Sequence, residues 1–258
     1  MSREKKARKL PPPVIKIQNL TKIFGSYKAV NNLNLEIGPG EIFGFIGPNG
    51  AGKTTTVKIL SGILKPDGGK VSVAGHDIVE ESIQAKKNLA YIPDEPFIYP
   101  KLTGFEFLRF IGDIYSMPHQ YQMRKIPELL EMFELSGYGG ELLESYSHGM
   151  KQKLLIASVI LRKPKVVLFD EPTVGLDPKS IRKFKDILFE ISKGGAAVFM
   201  CTHILEMAEE LCARVGIIYE GRLIAVGSLD ELREKSPAAG NSNKSLEEIF
   251  FELTNIPL

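Results

Sequence analysis

Short runs of apolar residues alternate along this chain with longer stretches in which apolar positions recur every three or four residues. The runs 41–46, 166–169, 196–201 and 215–219 lack the in-and-out alternation of a half-buried strand, the pattern expected when helices cover both faces of a parallel sheet. Val14 to Ile17, just after Pro11-Pro12-Pro13, reads as an extended segment entering the fold. Between Phe97 and Pro164 the pattern is helical only: Ile126, Leu129, Leu130 and Phe133 fall at i, i+3, i+4 and i+7, with Glu128, Glu131 and Glu134 facing away. A further helix is predicted from Pro178, whose preset φ suits the first helical position. It turns Ile181, Phe184, Leu188 and Ile191 inward and stops at Gly194-Gly195. Ser228 with Glu231 and Ser245 with Glu248 each fit a capping box that opens a short helix, with KSPAAGNSNK as the loop between. The last stripe, Leu246, Ile249, Phe250 and Leu253, needs an apolar surface: its own domain is the expected one, a partner the alternative. Strands alternating with helices predict a three-layer α/β domain, here with a helical insertion.

Composition narrows the class. The 258 residues hold 33 Lys+Arg against 31 Asp+Glu, a formal charge of +2, and 43% are hydrophobic. That excludes wholesale disorder and provides no broad field for nucleic acid. Basic residues crowd only the start (Arg3, Lys5, Lys6, Arg8, Lys9), a tail expected to be solvated, with attraction to acidic lipid as the alternative. No apolar run approaches the roughly 20 residues of a membrane span, so this chain is not expected to cross a bilayer by itself. The start also lacks the apolar stretch of a secretory signal. Two cysteines, Cys201 and Cys212, both in apolar surroundings, argue against a disulfide framework and fit a reducing compartment.

Two motifs carry chemistry. Gly47-Pro48-Asn49-Gly50-Ala51-Gly52-Lys53-Thr54, followed by Thr55, lies between an apolar strand and a helix and fits the phosphate-binding spacing of glycine, four residues, then Gly-Lys-Ser/Thr. Glycines let the backbone turn tightly and approach phosphate oxygens with no Cβ in the way, so successive N–H groups and a helix N-terminus converge on the anion. Lys53 adds a full charge at the β and γ phosphates, and the Thr54 hydroxyl can ligate Mg²⁺. The second motif, Val166-Val167-Leu168-Phe169-Asp170-Glu171-Pro172, is a buried strand ending in two acids, where a parallel sheet presents its ligand crevice. Asp170 is the expected Mg²⁺ partner. Glu171 is expected to point elsewhere, because side chains alternate along a strand, and so to orient and deprotonate an attacking water. Together these motifs specify nucleoside triphosphate hydrolysis without choosing among GTPases, kinases and motors. The string nearest to an Asn-Lys-x-Asp guanine reader, Asn243-Lys244-Ser245-Leu246, lacks the aspartate.

From about residue 14 the ordered motifs resemble the ATP-binding cassette family, the nucleotide-binding subunits of ABC transporters. Tyr146-Ser147-His148-Gly149-Met150 stands where that family has Leu-Ser-Gly-Gly-Gln. Val174-Gly175-Leu176-Asp177 matches the loop after the catalytic glutamate, Thr202-His203 the switch histidine, and Phe24-Gly25 the aromatic that stacks on adenine. The resemblance implies a P-loop ATPase core with a mostly parallel sheet, an antiparallel β subdomain and an inserted α-helical subdomain. It implies a basic tail over 1–12, the ATPase domain over 13–227 with the insertion at about 97–163, and a helical extension over 228–258. It implies ATP and Mg²⁺ as ligands, Glu171, His203 and Lys53 as catalytic residues, and Phe24, Ser147, Gly149 and Asp177 as nucleotide contacts beside the loop from Gly47 to Thr55. In this family two copies pair head to tail, each ATP held between the phosphate loop of one and the signature of the other. Ser147 supports that on its own chemistry: as a helix cap, its hydroxyl, the Gly149 N–H and the helix dipole form a second anion site.

Two departures stand out. Asp94, after Tyr91-Ile92-Pro93, replaces the lid-loop glutamine; it remains a candidate metal ligand but loses the amide donor and adds charge. His148 and Met150 replace a glycine and the glutamine of the signature. These variants, and the ending Leu246-Glu247-Glu248-Ile249-Phe250, resemble bacterial exporter-type cassettes. The implied role is an ATPase subunit peripheral to the cytoplasmic face of the membrane, working with a separate transmembrane permease and with no nucleic acid as partner. Phe97, Tyr99 and Phe105, within the 94–115 surface, form the dock for that permease or else belong to the core. The rival reading, a cassette acting on chromosomes or translation, calls for long coiled coils or tandem cassettes, and the sequence has neither.

Overall fold

The computed structural model describes residues 11–95, 97–173, 176–235 and 244–254. Arg3, Lys5, Lys6, Arg8 and Lys9, Val174, Gly175 and the loop 236–243, on which the sequence reading also drew, lie outside the described residues. In chain order the elements begin with β1 (Ile15–Phe24), β2 (Tyr27–Ile37), β3 (Ile42–Ile46), α1 (Lys53–Leu60), β4 (Gly68–Val73), β5 (His76–Asp77) and α2 (Ser82–Lys87). Then follow β6 (Leu89–Ile92), α3 (Gly104–Ile114), α4 (His119–Met132), α5 (His148–Arg162) and β7 (Val166–Asp170). The chain continues with α6 (Pro178–Lys193), β8 (Ala197–Thr202), α7 (Leu205–Leu211), β9 (Arg214–Tyr219), β10 (Arg222–Gly227), α8 (Leu229–Lys235) and α9 (Leu246–Thr254).

Two sheets result. The larger has the order β10-β9-β3-β8-β7-β6, parallel throughout except for β10 on β9. Every residue of β3, β7 and β8 is buried, which is why their sequences show no alternation. The smaller sheet, β2-β1-β4-β5, is antiparallel and does alternate: Leu33, Leu35 and Ile37 are buried between exposed neighbours. Helices α3, α4 and α5 form the insertion, their core built on Phe107, Leu108, Ile126, Leu129, Leu130 and Leu154. It also holds 3-10 turns at Ser136–Tyr138 and Leu143–Ser145, so it is not purely α-helical. Pro127 lies inside α4. It and Met123, whose carbonyl a proline at that position leaves without its helical donor, are both exposed, where the lost bond is open to solvent.

Both C-terminal capping boxes form, at Ser228 with Glu231 and at Ser245 with Glu248. Helix α9 lies on its own chain: Leu246, Ile249 and Phe250 pack with Ala208 of α7 and Leu232 of α8, and Leu246 N–H donates to Glu209 at 2.9 Å. Among the described residues no helix is long and apolar enough to cross a membrane. Both cysteines are free; burial raises the Cys201 thiol well above its ordinary pKa and pushes Cys212 up to about 12.

Candidate nucleotide-binding site

Lateral strand order assembles the site. Strands β3, β8 and β7 are neighbours running the same way, so the loop from Gly47 to Thr55 after β3, Thr202-His203 at the end of β8 and Asp170-Glu171 at the end of β7 emerge at one edge. Within the loop each glycine answers a different constraint. A Cβ at Gly47 would sit 2.3 Å from the Ile218 carbonyl oxygen, and one at Gly52 2.3 Å from that of Ala29, so β9 and β2 leave no room for a side chain. Gly50 has open space but φ +80°, a left-handed conformation that glycine adopts without steric penalty. Lys53 is 6% exposed, and its Nζ donates to the carbonyls of Gly47 at 2.6 Å and Pro48 at 3.2 Å. Thr54 is exposed, Thr55 half-buried, and Asn49 exposed.

Asp170 is 1% exposed. Its Oδ1 accepts from the Thr54 hydroxyl at 3.4 Å, while Oδ2 is buried with no hydrogen-bond partner among the described residues. Burial pushes this carboxyl above its ordinary pKa; the Thr54 hydroxyl opposes the shift, and the charges of Asp94 and Glu171 add to it. An orphaned, desolvated carboxylate beside a threonine hydroxyl is a hard-oxygen donor set fitting a small divalent cation whose other ligands are water and phosphate oxygens. Among the described residues no group of three or more His, Cys, Asp or Glu could hold a metal ion unaided.

One consequence is measurable on the folded chain alone. With a raised pKa, Asp170 favours the folded state only while protonated, so its contribution is lost as pH rises above the ordinary 3.8 through the shifted value. Asp170→Asn, at neutral pH and without divalent cations, should therefore stabilise the chain by about 1–3 kcal/mol and raise Tm by about 3–10 °C. Thermal unfolding over a pH series descending from 8 checks this: the gain should shrink as pH falls through the raised pKa towards the ordinary 3.8, and a variant no more stable than wild type at pH 8 would contradict it.

Glu171 departs from the expected geometry. Strand β7 ends at Asp170, and Glu171 takes φ +49°, so a left-handed turn, not strand alternation, aims its side chain. Its N–H donates to the Cys201 carbonyl at 2.9 Å. Its Oε2 lies 2.9 Å from His203 Nδ1 and accepts from the His203 N–H at 3.3 Å; its Oε1 lies 3.9 Å from Lys53 Nζ. A non-glycine residue in that backbone region is strained, and here the strained residue is the acid that joins two strand ends.

The remaining predicted residues are dispersed. Phe24 is half exposed at the tip of the β1–β2 hairpin, with Lys22 Nζ 5.4 Å from its ring centroid. Asp94 is exposed and its carboxylate accepts from the Glu95 N–H at 2.8 Å, a local turn, not a bond to Asp170. Ser147 caps α5, accepting from Met150 N–H at 3.3 Å, with Gly149 in the first turn. Asp177 caps α6, accepting from the N–H of Ser180 at 2.9 Å and its hydroxyl at 2.6 Å. These bonds lower the Asp177 pKa. Sequence reasoning missed Gln152, buried on α5, which donates to the Pro172 carbonyl at 3.2 Å and so links the signature helix to the turn after Glu171. It also missed Gly221 in the β9–β10 turn, whose N–H donates to the Ala51 carbonyl at 3.0 Å. Neither has a local sequence signal, because both partners are distant in the chain. Of the three aromatics left open between dock and core, Phe97 is 89% and Tyr99 53% exposed. Phe105 instead packs against the core, and its place beside Tyr99 is taken by Phe110, edge-on at 5.3 Å.

Known proteins resemble this chain in sequence and fold. The ABC transporter family profile matches residues 30–174. The linearmycin resistance ATP-binding protein LnrL of Bacillus subtilis is 35% identical over 85% of this chain and 70% of its own length. The probable multidrug ABC transporter ATP-binding protein YbhF of Escherichia coli is 35% identical over 93% of this chain, which spans only 41% of that longer protein. Among solved structures, an ATP-binding subunit of an ABC transporter superposes with TM-score 0.88 at 32% identity, over 93% of this chain and 99% of the other. A dimeric ATP-binding cassette in a post-hydrolysis state with ADP and Pi superposes with TM-score 0.76 at 25% identity, over 83% and 98%. A glycine cradle, a buried aspartate and a Glu–His pair converge at the strand ends of a fold shared with these cassettes, and the chain belongs to the ABC transporter family as an ATP-binding, ATP-hydrolysing subunit.

Proposed function

We propose that this chain powers export through a separate membrane-spanning permease, as a peripheral subunit at the cytoplasmic face, by closing head to tail on a second copy of itself around ATP. The observation that carries the chemistry is the Glu171 carboxylate, 2.9 Å from His203 and 3.9 Å from Lys53 at the mouth of the phosphate loop. The N–H groups between Gly47 and Thr55 that no carbonyl takes, and the Lys53 ammonium, hold the phosphates of ATP. Thr54 and Asp170, with Asp94 at the lid, are the residues that would hold Mg²⁺, which when bound neutralises phosphate charge. Glu171 accepts a proton from the water that attacks the γ-phosphorus, the bond to the β-phosphate oxygen breaks, and ADP and phosphate leave. His203 holds Glu171 in place and faces the γ-phosphate. Phe24 meets the adenine. Ser147, Gly149 and Asp177 serve the partner copy's nucleotide, acting where an arginine finger acts in other phosphoryl-transfer enzymes.

Export is supported by the resistance and multidrug names of the relatives, pairing by the dimeric cassette with ADP and Pi, and a separate permease by the lack of a spanning helix among the described residues. Phe97, Tyr99 and Phe110 present the apolar surface for that permease. Nucleic acid is not a partner in this reading. Reconstitution checks it: purified with a membrane chain in vesicles, the subunit should hydrolyse ATP about two- to tenfold faster when a transported compound is present. A rate indifferent to the membrane chain and to every compound tried would overturn the coupling.

A further inference from the structure

Several carbonyl oxygens of the phosphate loop are anchored by donors, and two of the anchors, Tyr27 and Gly221, come from hairpins far from the loop in sequence. Within a planar trans peptide unit the C=O of one residue and the N–H of the next point in opposite directions, so whatever anchors a carbonyl aims the following N–H. Lys53 Nζ anchors the oxygens of Gly47 and Pro48, the Gly221 N–H that of Ala51, and the Thr56 N–H and hydroxyl that of Gly52. The peptide between Gly50 and Ala51 is anchored by Tyr27: its phenol donates to the Gly50 oxygen at 2.8 Å. On the other edge of that peptide the Ala51 N–H donates to the Pro48 carbonyl at 3.2 Å. No neighbour confines Gly50, where a Cβ would meet nothing within 4 Å, and glycine crosses readily between positive and negative φ. Without the phenol, the crest of the loop rests on the longer bond alone.

Burial does not explain this contact. Tyr27 is 53% exposed, so its ring is no core element that happens to carry a hydroxyl. It is the register partner of Phe24 in the last pair of the β1–β2 hairpin, so one hairpin tip presents an aromatic face and grips the phosphate loop. We propose that Tyr27 is a positioning residue for nucleotide binding: its hydroxyl pre-orders the crest of the phosphate loop and couples it to the aromatic tip that carries Phe24. The proposal rests on the reading of Gly47 to Thr54 as the phosphate cradle.

The test compares two ligands and two variants of the full chain. Tyr27→Phe removes only the phenol oxygen, whereas Phe24→Ala removes an aromatic face. Calorimetric titration with Mg²⁺ and either ATP or inorganic tripolyphosphate, which has no base, separates the two contributions. Tyr27→Phe should weaken both ligands by the same factor, about three- to tenfold, and the loss should fall on KM for ATP, not on kcat. Phe24→Ala should weaken ATP alone. Wild-type affinity of Tyr27→Phe for tripolyphosphate would overturn the proposal, whether ATP binding were unchanged or weakened; in the second case the phenol would belong to a base contact. Failure of the cradle reading is distinguishable, because it appears in the unmodified chain as binding of neither ligand, and it removes this proposal with it.

Discussion

Glu171→Gln should lower steady-state ATP turnover by about 10²- to 10⁴-fold while leaving ATP affinity near wild type. The amide keeps the size and the oxygen that accepts from the His203 N–H at 3.3 Å, so the left-handed turn at Glu171 has no reason to move. What is lost is the group able to take a proton from water, together with the charge 3.9 Å from Lys53. In the proposed site phosphate contacts come from the loop after β3, an element the substitution does not touch, so binding and chemistry should separate cleanly. Phosphate release together with nucleotide titration on the same preparation checks this. Saturated with Mg·ATP, the variant should also accumulate as a dimer in sedimentation, since closure no longer ends in hydrolysis. Unchanged turnover would remove Glu171 from its role, and a variant that remains a monomer would remove the paired site.

Ser147→Arg should abolish turnover, and its loss should be reversible by mixing. The substitution deletes the cap that accepts from Met150 N–H and puts a long cation at the exposed start of α5, which in the proposed head-to-tail arrangement faces the partner's nucleotide. In a pair made of one Ser147→Arg copy and one Glu171→Gln copy, one composite site carries both defects and the other carries neither. Random pairing of equal amounts makes half the dimers mixed, so about one quarter of all sites are intact. Two inactive preparations should thus recover up to about a quarter of wild-type turnover when combined. Turnover that stays at background, with mixed dimers demonstrated by affinity tags, would contradict the composite site. Turnover in Ser147→Arg alone would show that the signature takes no part. The companion measurement is thermal stability, because losing an N-cap costs about 1 kcal/mol and that cost must be separated from the loss of activity.

Much of this was legible in the amino-acid sequence, and the parts that were share a physical character: each is a signal among residues close in the chain. Unalternating apolar runs marked β3, β7, β8 and β9. Glycine spacing before Lys53 marked the tight turn from β3 into α1, the acids after Phe169 marked a strand end, and Ser147, Ser228 and Ser245 marked helix starts because a cap bonds an N–H three residues on. Tertiary structure decided what depends on groups far apart in sequence. Thr54 and Asp170 meet across 116 positions only because β3, β8 and β7 lie side by side, an order no local period encodes. Glu171 meets His203 through a left-handed turn where alternation predicted a strand direction. Asp94 turns onto its own backbone, Phe105 joins the core that Phe97 and Tyr99 leave, and Tyr27 finds the Gly50 carbonyl from a neighbouring hairpin. Hydrogen bonds and side-chain periods act over a few residues, so sequence determined the elements and their chemistry; the lateral packing of strands, a free energy spread over the whole core, determined which of those groups share a site.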